Sequence, residues 1–452
     1  MDQFHSNPPT GLPKGSGIAL TFAIWNGLSS QLVLAGPIVL YAKSLGASAT
    51  VLGILSGLMP ILVIFQIPAA QHVGRVGYRL FMLRGWSARV VFVFLMTLVP
   101  LLSNVLDPPN RLLVLLALVF GFNLLRGLAS CAWLPWVMEL IPESLRGRFL
   151  TSEQFCVNLA GALAFGFAAL LVGHGMSETR YAWVFGFSAI SGLISLEFLR
   201  RVPDLPVPPE DQGGRGTIPW LELAAYPPFR ALLRLNGAYA LSSGGMLTFI
   251  TAFLRSHENL DERVILVVLG SFFLGGLISP WLAGSRLDRL GSRPALRLAL
   301  GLGAILSLVW SLVAGGVWKL SPVGIAPFVF FLGTINAVFS AAQNRLAMHT
   351  APKMGRSHFF ALYSVVLNVT LGLSPILGGL WIDVLNTQNG HLGRWAVNGF
   401  STFFLITSLL FIVACILAGR VQEPKAASTE LLLRELLVDE PRKALNRLWI
   451  RT

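Results

Sequence analysis

Apolar residues run through this chain in long blocks, each about the length needed to cross a bilayer. The stretches between them are short, polar and rich in Arg, Gly and Pro. A spanning helix needs about 20 predominantly apolar residues, and about twelve blocks of that kind recur. The pattern predicts helices over 17–41, 49–72, 86–106, 112–138, 149–173 and 180–199, and a second set over 229–254, 262–284, 294–317, 323–346, 357–385 and 395–419. Residues 1–16 are polar and lack a basic n-region and a small-residue cleavage site, so the first block is expected to remain as a helix.

The second set repeats the first at a displacement of about 213 residues, the signature of a duplicated membrane protein. Leu28-Ser29-Ser30 recurs as Leu241-Ser242-Ser243, and Gly57 recurs as Gly270. Arg75-Val76-Gly77-Tyr78-Arg79 recurs as Arg289-Leu290-Gly291-Ser292-Arg293. Asn158 corresponds to Asn368, and Gly186-Phe187-Ser188 to Gly399-Phe400-Ser401. An even number of helices per repeat returns the chain to the same side, which makes the repeats parallel. The expected fold is therefore an all-α membrane protein, with twelve transmembrane helices in two six-helix bundles related by a pseudo-twofold axis along the membrane normal. The domains are a cytoplasmic N-terminus over 1–16, a first bundle over 17–199, a Pro- and Gly-rich cytoplasmic linker over 200–228, a second bundle over 229–419 and a cytoplasmic tail over 420–452.

Composition agrees with this pattern, at 54% hydrophobic and 12% charged residues, against about 25% charged in a soluble domain. The net charge of +13 does not imply nucleic acid, because a membrane protein distributes Arg and Lys by topology. Most of the basic residues fall at one set of helix ends, which places both termini in the cytoplasm and the protein in the plasma (inner) membrane. Cys131, Cys156 and Cys415 lie inside apolar blocks with no metal or paired-thiol spacing. No metal, cofactor or catalytic residue is expected.

The stretch after the eighth helix reads Gly284-Ser285-Arg286-Leu287-Asp288-Arg289-Leu290-Gly291-Ser292-Arg293. It resembles the G-x-x-x-D-R-x-G-x-R loop of the major facilitator superfamily, and Pro142-Glu143-Ser144-Leu145-Arg146-Gly147-Arg148 resembles the segment that follows helix 4 in that family. The resemblance spans essentially the whole chain. It implies that Asp288 latches the two halves on the cytoplasmic side, with the first turn of helix 5 near Phe149 as its partner, and that Arg289, Gly291 and Arg293 belong to the same gate. In the first copy Arg75, Gly77 and Arg79 remain, but Ala70 stands where the leading Gly is expected and Gly74 where the Asp is expected. The alternative role for these arginines is topological anchoring.

Arg126 falls near the middle of helix 4, where a cation costs about 2.5–3.5 kcal/mol on insertion scales and is retained when it faces a partner or a wet cavity. Asn123, Ser130 and Trp133 share its face. It is a candidate for attracting an anionic or strongly polar part of a substrate; the alternative is an Arg satisfied by helix carbonyls or a neighbouring helix. The resemblance implies a cavity lined by helices 1, 4, 7 and 10. Trp25, Asn26, Ser29, Ser30, Gln154, Asn158, Ser242, Ser243, Asn336, Ser340 and Gln343 are further candidates for the cavity wall. No carboxylate stands at mid-depth; Glu153 is the best remaining acid for coupling to an ion, and Asp383 sits near the outer end of helix 11.

These features point to a secondary transporter, a monomer that moves a small organic solute by alternating access, with the lipid bilayer as its environment and a coupling ion left open. A drug or metabolite efflux antiporter is the alternative transport class. A non-transporting receptor or scaffold of the same fold is the alternative outside transport, and an enzyme is not expected because His257-Glu258 is followed by Asp261 with no second His.

Overall fold

Inside hydrocarbon no water is available to the backbone, so a spanning segment satisfies its own peptide groups as a helix. The structure, a computed structural model, describes residues 12–13, 15–173, 177–206, 226–350, 356–386, 390–421, 423, 427 and 429–434. The linker expected over 200–228 therefore falls outside the described residues from 207 to 225, as do residues 1–11 and the tail beyond 434.

Among the described residues twelve long helical spans follow one another: α1 (Ser16–Ser44), α2 (Ala49–Val76), α3 (Tyr78–Asn104), α4 (Pro108–Leu140), α5 (Glu143–Val172), α6 (Glu178–Arg201), α7 (Pro227–Ser256), α8 (Glu262–Leu290), α9 (Ser292–Ala314), α10 (Pro322–Thr350), α11 (Arg356–Leu385) and α12 (Gly399–Arg420). Among the described residues 11 helices are long and apolar enough to cross a membrane. The remaining span, α8, is helical throughout, but its side chains from 279 to 288 lie outside the described residues.

Two turns differ from the hydropathy reading. Helix α3 begins at Tyr78, not near 86, and α8 runs to Leu290, so most of the expected loop motif is helix. Gly77, at φ 86°, and Gly291, at φ 88°, are then the single residues joining α2 to α3 and α8 to α9. Positive φ, which a side chain would oppose, reverses the chain within one residue. The arginines on either side lie on helix ends that extend past the apolar zone, which is why hydropathy alone assigned them to loops.

At the other edge, residues 395–398 form no helix. Strands β1 (Gly390–Leu392) and β2 (Trp395–Val397) pair antiparallel, and Asn398 starts α12 by a reciprocal capping box with Ser401. The apolar Trp395 mimicked a helix start. Its indole instead donates to the Ser311 carbonyl at 3.1 Å.

Three spans that read as continuous are broken. The helix of α1 stops at Leu34 and resumes at Gly36, just before Pro37. That of α4 stops at Ser130 and resumes at Trp133, and that of α7 stops at Ser243 and resumes at Met246, across Gly244 and Gly245. Span α2 narrows to a 3-10 turn, Leu62–Phe65, directly after Pro60 and Ile61; a helix-interior Pro removes a backbone donor and distorts the turn around it.

Packing divides the chain into two units: Met1–Leu34, Leu62–Val172 and Met176–Gly216 in one, Ala35–Ile61, Gly173–Gly175 and Thr217–Thr452 in the other. In the first, Phe22 of α1 tilts against Trp133 of α4, ring centroids 5.0 Å apart, and Trp133 meets Trp136 edge-on at 6.2 Å. In the second, the opening turns of α2 lie backbone to backbone on α11. A Cβ added at Gly53 would stand 2.1 Å from the Pro375 carbonyl oxygen, and one at Gly57 would stand 2.4 Å from the Gly372 oxygen. Small residues permit such approaches in membranes, where van der Waals contact drives association. The same contact is capped by Asp383 near the end of α11, whose Oδ1 accepts from the Ala49 N–H at 3.0 Å and whose Oδ2 accepts from the Thr50 N–H at 2.8 Å. A carboxylate at a helix N-terminus is favoured by the unpaired N–H groups and by the dipole.

Gly53→Ala should force these backbones apart and cost about 1–3 kcal/mol, as overpacking of a filled site does. Thermal unfolding of purified protein reads the loss; an unchanged midpoint would contradict the α2–α11 packing.

Candidate functional site

The neighbours of Arg126 on this face of α4 each hold a hydrogen bond to protein, although the Asn123 Oδ1 has no partner among the described residues. Asn123, buried, donates from Nδ2 to the Val119 carbonyl one turn back at 3.0 Å. Ser130 accepts from Gln66 Nε2 at 2.6 Å. Trp133, past the break, donates from Nε1 to Glu153 Oε1 at 2.8 Å. Arg126 is half-buried and makes no hydrogen bond or ion pair among the described residues, whereas Arg111 of the same span pairs with Glu178 at 2.6 Å. Where the sequence left Arg126 between carbonyl-satisfied and open, no carbonyl among the described residues takes its donors.

A second cation lies beside this face and was not anticipated from the sequence. Arg89 of α3 is 1% exposed. Its guanidinium carbon sits 4.6 Å from the centroid of Trp86 and 5.0 Å from that of Phe122, and Nη2 donates to Asn26 Oδ1 of α1 at 2.6 Å. Trp86 Nε1 donates to the same Oδ1 at 3.1 Å. The Nε and Nη1 of Arg89 have no partner among the described residues. Phe122 is one turn before Arg126 on α4, and Arg126 is the charged group that acts on Arg89. Cation–π contact contributes about 2 kcal/mol when desolvated, but it supplies no counter-charge. Two like charges in a low-dielectric site repel rather than compensate one another. Arg89 escaped the sequence reading because it falls early in a block whose first polar turns, Tyr78 to Arg84, were assigned to a loop. With α3 starting at Tyr78, Arg89 stands eleven residues along the helix, about 16 Å from its start.

The other expected residues separate by role. Asn26 orients Arg89 and Trp86. Trp25 is half-buried and makes no hydrogen bond among the described residues. Asn158 is 7% exposed, and its Nδ2 has no partner among the described residues. Glu153 stands about 15 Å along α5 from the start of the helix at Glu143, and its partner here is Trp133, not a cation.

In the second unit, Asn336 of α10 accepts from the Tyr239 hydroxyl of α7 at 2.7 Å, and the Tyr239 ring stacks on Phe339 at 3.5 Å. Ser243 donates to the Tyr239 carbonyl at 2.8 Å, and Gln343 donates to the Tyr363 hydroxyl. Tyr239, Ser243 and Asn336 join Met246, Leu247, Phe272, Leu332, Ile335 and Phe411 around a small open cleft beside the α7 break. Tyr239 and Tyr363 were also missed; a Tyr inside an apolar block gives no periodic signal of its own.

The side chain of Asp288 lies outside the described residues. Around Gly291 a different acid is engaged: Glu423, just past α12, accepts from the Ser292 N–H at 3.0 Å and from the Arg293 N–H at 2.9 Å, and it lies 3.5 Å from Arg345 Nη1. Arg293 donates to the Gly419 carbonyl. The first copy has the counterpart after α6, where Asp204 lies 3.4 Å from Arg79 Nε. Arg75 is exposed, and Arg289 is exposed at the end of α8.

The Major Facilitator Superfamily model matches residues 17–356 and 259–450, and the chain belongs to that family. It is 28% identical over 221 residues to the enterobactin exporter EntS of Salmonella paratyphi A (strain ATCC 9150 / SARB42), a match covering 47% of this chain and 50% of that protein, so the chain spans about half the length of this curated relative. Among solved structures it is similar to a POT family transporter in complex with 5-aminolevulinic acid, with a TM-score of 0.68 and 14% identity over 91% of this chain and 97% of that one. It is also similar to the nucleoside transporter NupG, with a TM-score of 0.63 and 11% identity over 90% and 99%. At these identities the structures establish the fold alone. The chain is thus a multi-pass integral membrane protein of a transporter family, not an enzyme.

Glu423→Gln should weaken the cap on α9 and the Arg345 contact together, lowering stability by about 1–2 kcal/mol. Thermal unfolding tests this, with Glu430→Gln, an exposed acid of the short helix Thr429–Arg434, expected to remain within about 0.5 kcal/mol of the parent.

Proposed function

We propose that the protein is a secondary transporter that moves a small organic solute by alternating access and recognises an anionic group of that solute through Arg126. The observation that carries this reading is a half-buried cation at the middle of α4, without hydrogen bond or ion pair among the described residues, on a face where Asn123, Ser130 and Trp133 each hold a hydrogen bond to protein. Such a residue is kept in a membrane helix when a partner or aqueous pathway meets it. The breaks in α1, α4 and α7 favour the same reading, because discontinuous helices in transporters surround the solute site. Asn26, Trp25, Asn123 and Asn158 complete the proposed site in the first unit; Asn336 and Gln343 are proposed as substrate contacts of the second unit, taken by itself. Glu153, if a coupling ion is used, is the acid that carries it.

Likeness to an exporter favours outward movement of the solute and an inner-membrane location, and the gathering of Arg and Lys at one set of helix ends favours cytoplasmic termini. Asp288, with Arg289, Gly291, Arg293, Arg75, Gly77 and Arg79, is the proposed cytoplasmic gate. Asp288→Asn should preserve folding and shift the balance of access states. Unchanged labelling of single cysteines placed in the cavity would sink the latch.

The substrate reading is tested by a thermal-shift screen of anionic, neutral and cationic organic solutes on purified protein, followed by accumulation of the binders in proteoliposomes. Anionic solutes should bind and accumulate. Arg126→Ala should abolish binding with a stable fold, since removing a buried charge removes its desolvation cost, whereas Arg126→Lys should retain part of it, lacking the planar donor fork. Equal binding by Arg126→Ala, or a screen dominated by neutral or cationic solutes, would overturn the assignment.

A further inference from the structure

We propose that Arg89 is a second substrate-binding cation, and that Arg89 and Arg126 together form a twin-guanidinium subsite for a doubly charged anion. This inference rests on the reading of Arg126 given above and sharpens it from an anionic group to a dianionic one.

The argument begins with the state of Arg89. It is 1% exposed, and among its three guanidinium nitrogens one has a protein acceptor, Asn26 Oδ1, while Nε and Nη1 have none among the described residues. Buried guanidiniums with unfilled donors are rare because each unmade bond retains its desolvation cost. A structural Arg would be expected to hold a carboxylate, as Arg111 holds Glu178 in this unit. Arg89 instead has aromatic rings on two sides, Trp86 and Phe122, and a neutral amide that fixes its plane. Rings and amide orient the fork without neutralising it, which leaves the charge for something else.

The carboxylate closest in kind, Glu153, is engaged by Trp133. The neighbouring charge on Arg89 is of like sign, from Arg126. Phe122 ties the two together, since it stacks on Arg89 and precedes Arg126 by one helical turn. The protein therefore gathers two cations in the first unit and gives neither an internal counter-ion among the described residues. An anion carrying two charges, such as a sulfate, a phosphate ester or a dicarboxylate, would neutralise both and fill the unmade donors of Arg89; Arg–oxyanion pairing of this kind is short, charge-assisted and directional.

The probes are sulfate as a dianion and acetate as a monoanion, titrated at matched ionic strength with chloride onto the purified full-length chain, with thermal unfolding as readout. Sulfate also stabilises proteins non-specifically, without saturating, so the quantity read is a saturable rise. The expected result is a saturable rise on the order of 5 °C with sulfate, with acetate binding at least about tenfold more weakly. The rise should be lost in Arg89→Gln and in Arg126→Gln and partly kept in Arg89→Lys. Loss in Arg126→Gln with retention in Arg89→Gln would overturn the twin site and leave the Arg126 reading standing, as would equal affinity for acetate and sulfate. Retention in Arg126→Gln, or no saturable response to either anion, would overturn both. Should Arg89→Gln fail to fold, Arg89→Lys and Asn26→Ala decide: a structural Arg89 predicts a lower midpoint in chloride with unchanged sulfate affinity, and a binding Arg89 predicts weakened sulfate affinity.

Discussion

Inside a bilayer the hydrophobic effect does not press one helix against another, so a helical bundle holds together through close approach and the pairing of polar groups. In this chain the clearest case is α2 on α11, where Gly53 and Gly57 bring their backbone against the carbonyls of Pro375 and Gly372. The carboxylate of Asp383 then takes the two free N–H groups at the start of α2. This contact explains why residues 35–61, which belong by sequence to the first repeat, pack with the second unit. It also gives the α1 break at Ala35 and the α2 3-10 turn after Ile61 a shared meaning, since both fall at the edges of the segment that changes unit. The chain bends where its packing allegiance changes.

Polar groups in these spans fall into two kinds. Most are closed by the protein itself: Ser188 donates to the Ser29 carbonyl at 2.7 Å, Ser311 to that of Ser401 at 2.8 Å, and Ser408 to that of Ala304 at 2.8 Å. These act as interhelical glue and require nothing further. Arg89 and Arg126 are of the other kind, ordered by rings or helix position but left with donors unfilled among the described residues. The difference lies in whether the group is finished by its neighbours, which the residue type alone does not decide.

That distinction sets what the sequence could reveal. The number of spans, the duplication and the family were legible because hydropathy, fixed spacing and the motif ending in Gly291-Ser292-Arg293 are properties of residues in order. The Gly77 and Gly291 turns were located correctly, although the helices reach them from both sides, since amphipathic ends carry Arg without ending the helix. Arg126 was visible as a charge in an apolar block. Arg89 was not, because the polar turns before it disguised the start of α3. Glu423 was hidden for a similar reason: read as part of a tail, it completes the N-terminus of α9 from 131 residues away, and contacts of that range leave no local pattern. The hairpin over 390–397 was masked by the apolar character of Trp395.

An uncompensated pair of cations also bears on how such a protein would alternate. Enclosing an empty site means withdrawing water from two like charges that repel, and the low dielectric that follows makes the repulsion stronger. If a dianion occupies the pair, the enclosed site is close to neutral, and the same loss of water now strengthens an attraction. A ligand shifts a conformational equilibrium only by its difference in affinity between the two states, and here that difference would arise from charge itself without any new contact. A built-in carboxylate would neutralise the empty site equally well and erase the distinction between loaded and unloaded protein. The absence of such an acid beside Arg89 and Arg126, among the described residues, is therefore what would allow the solute to drive closure.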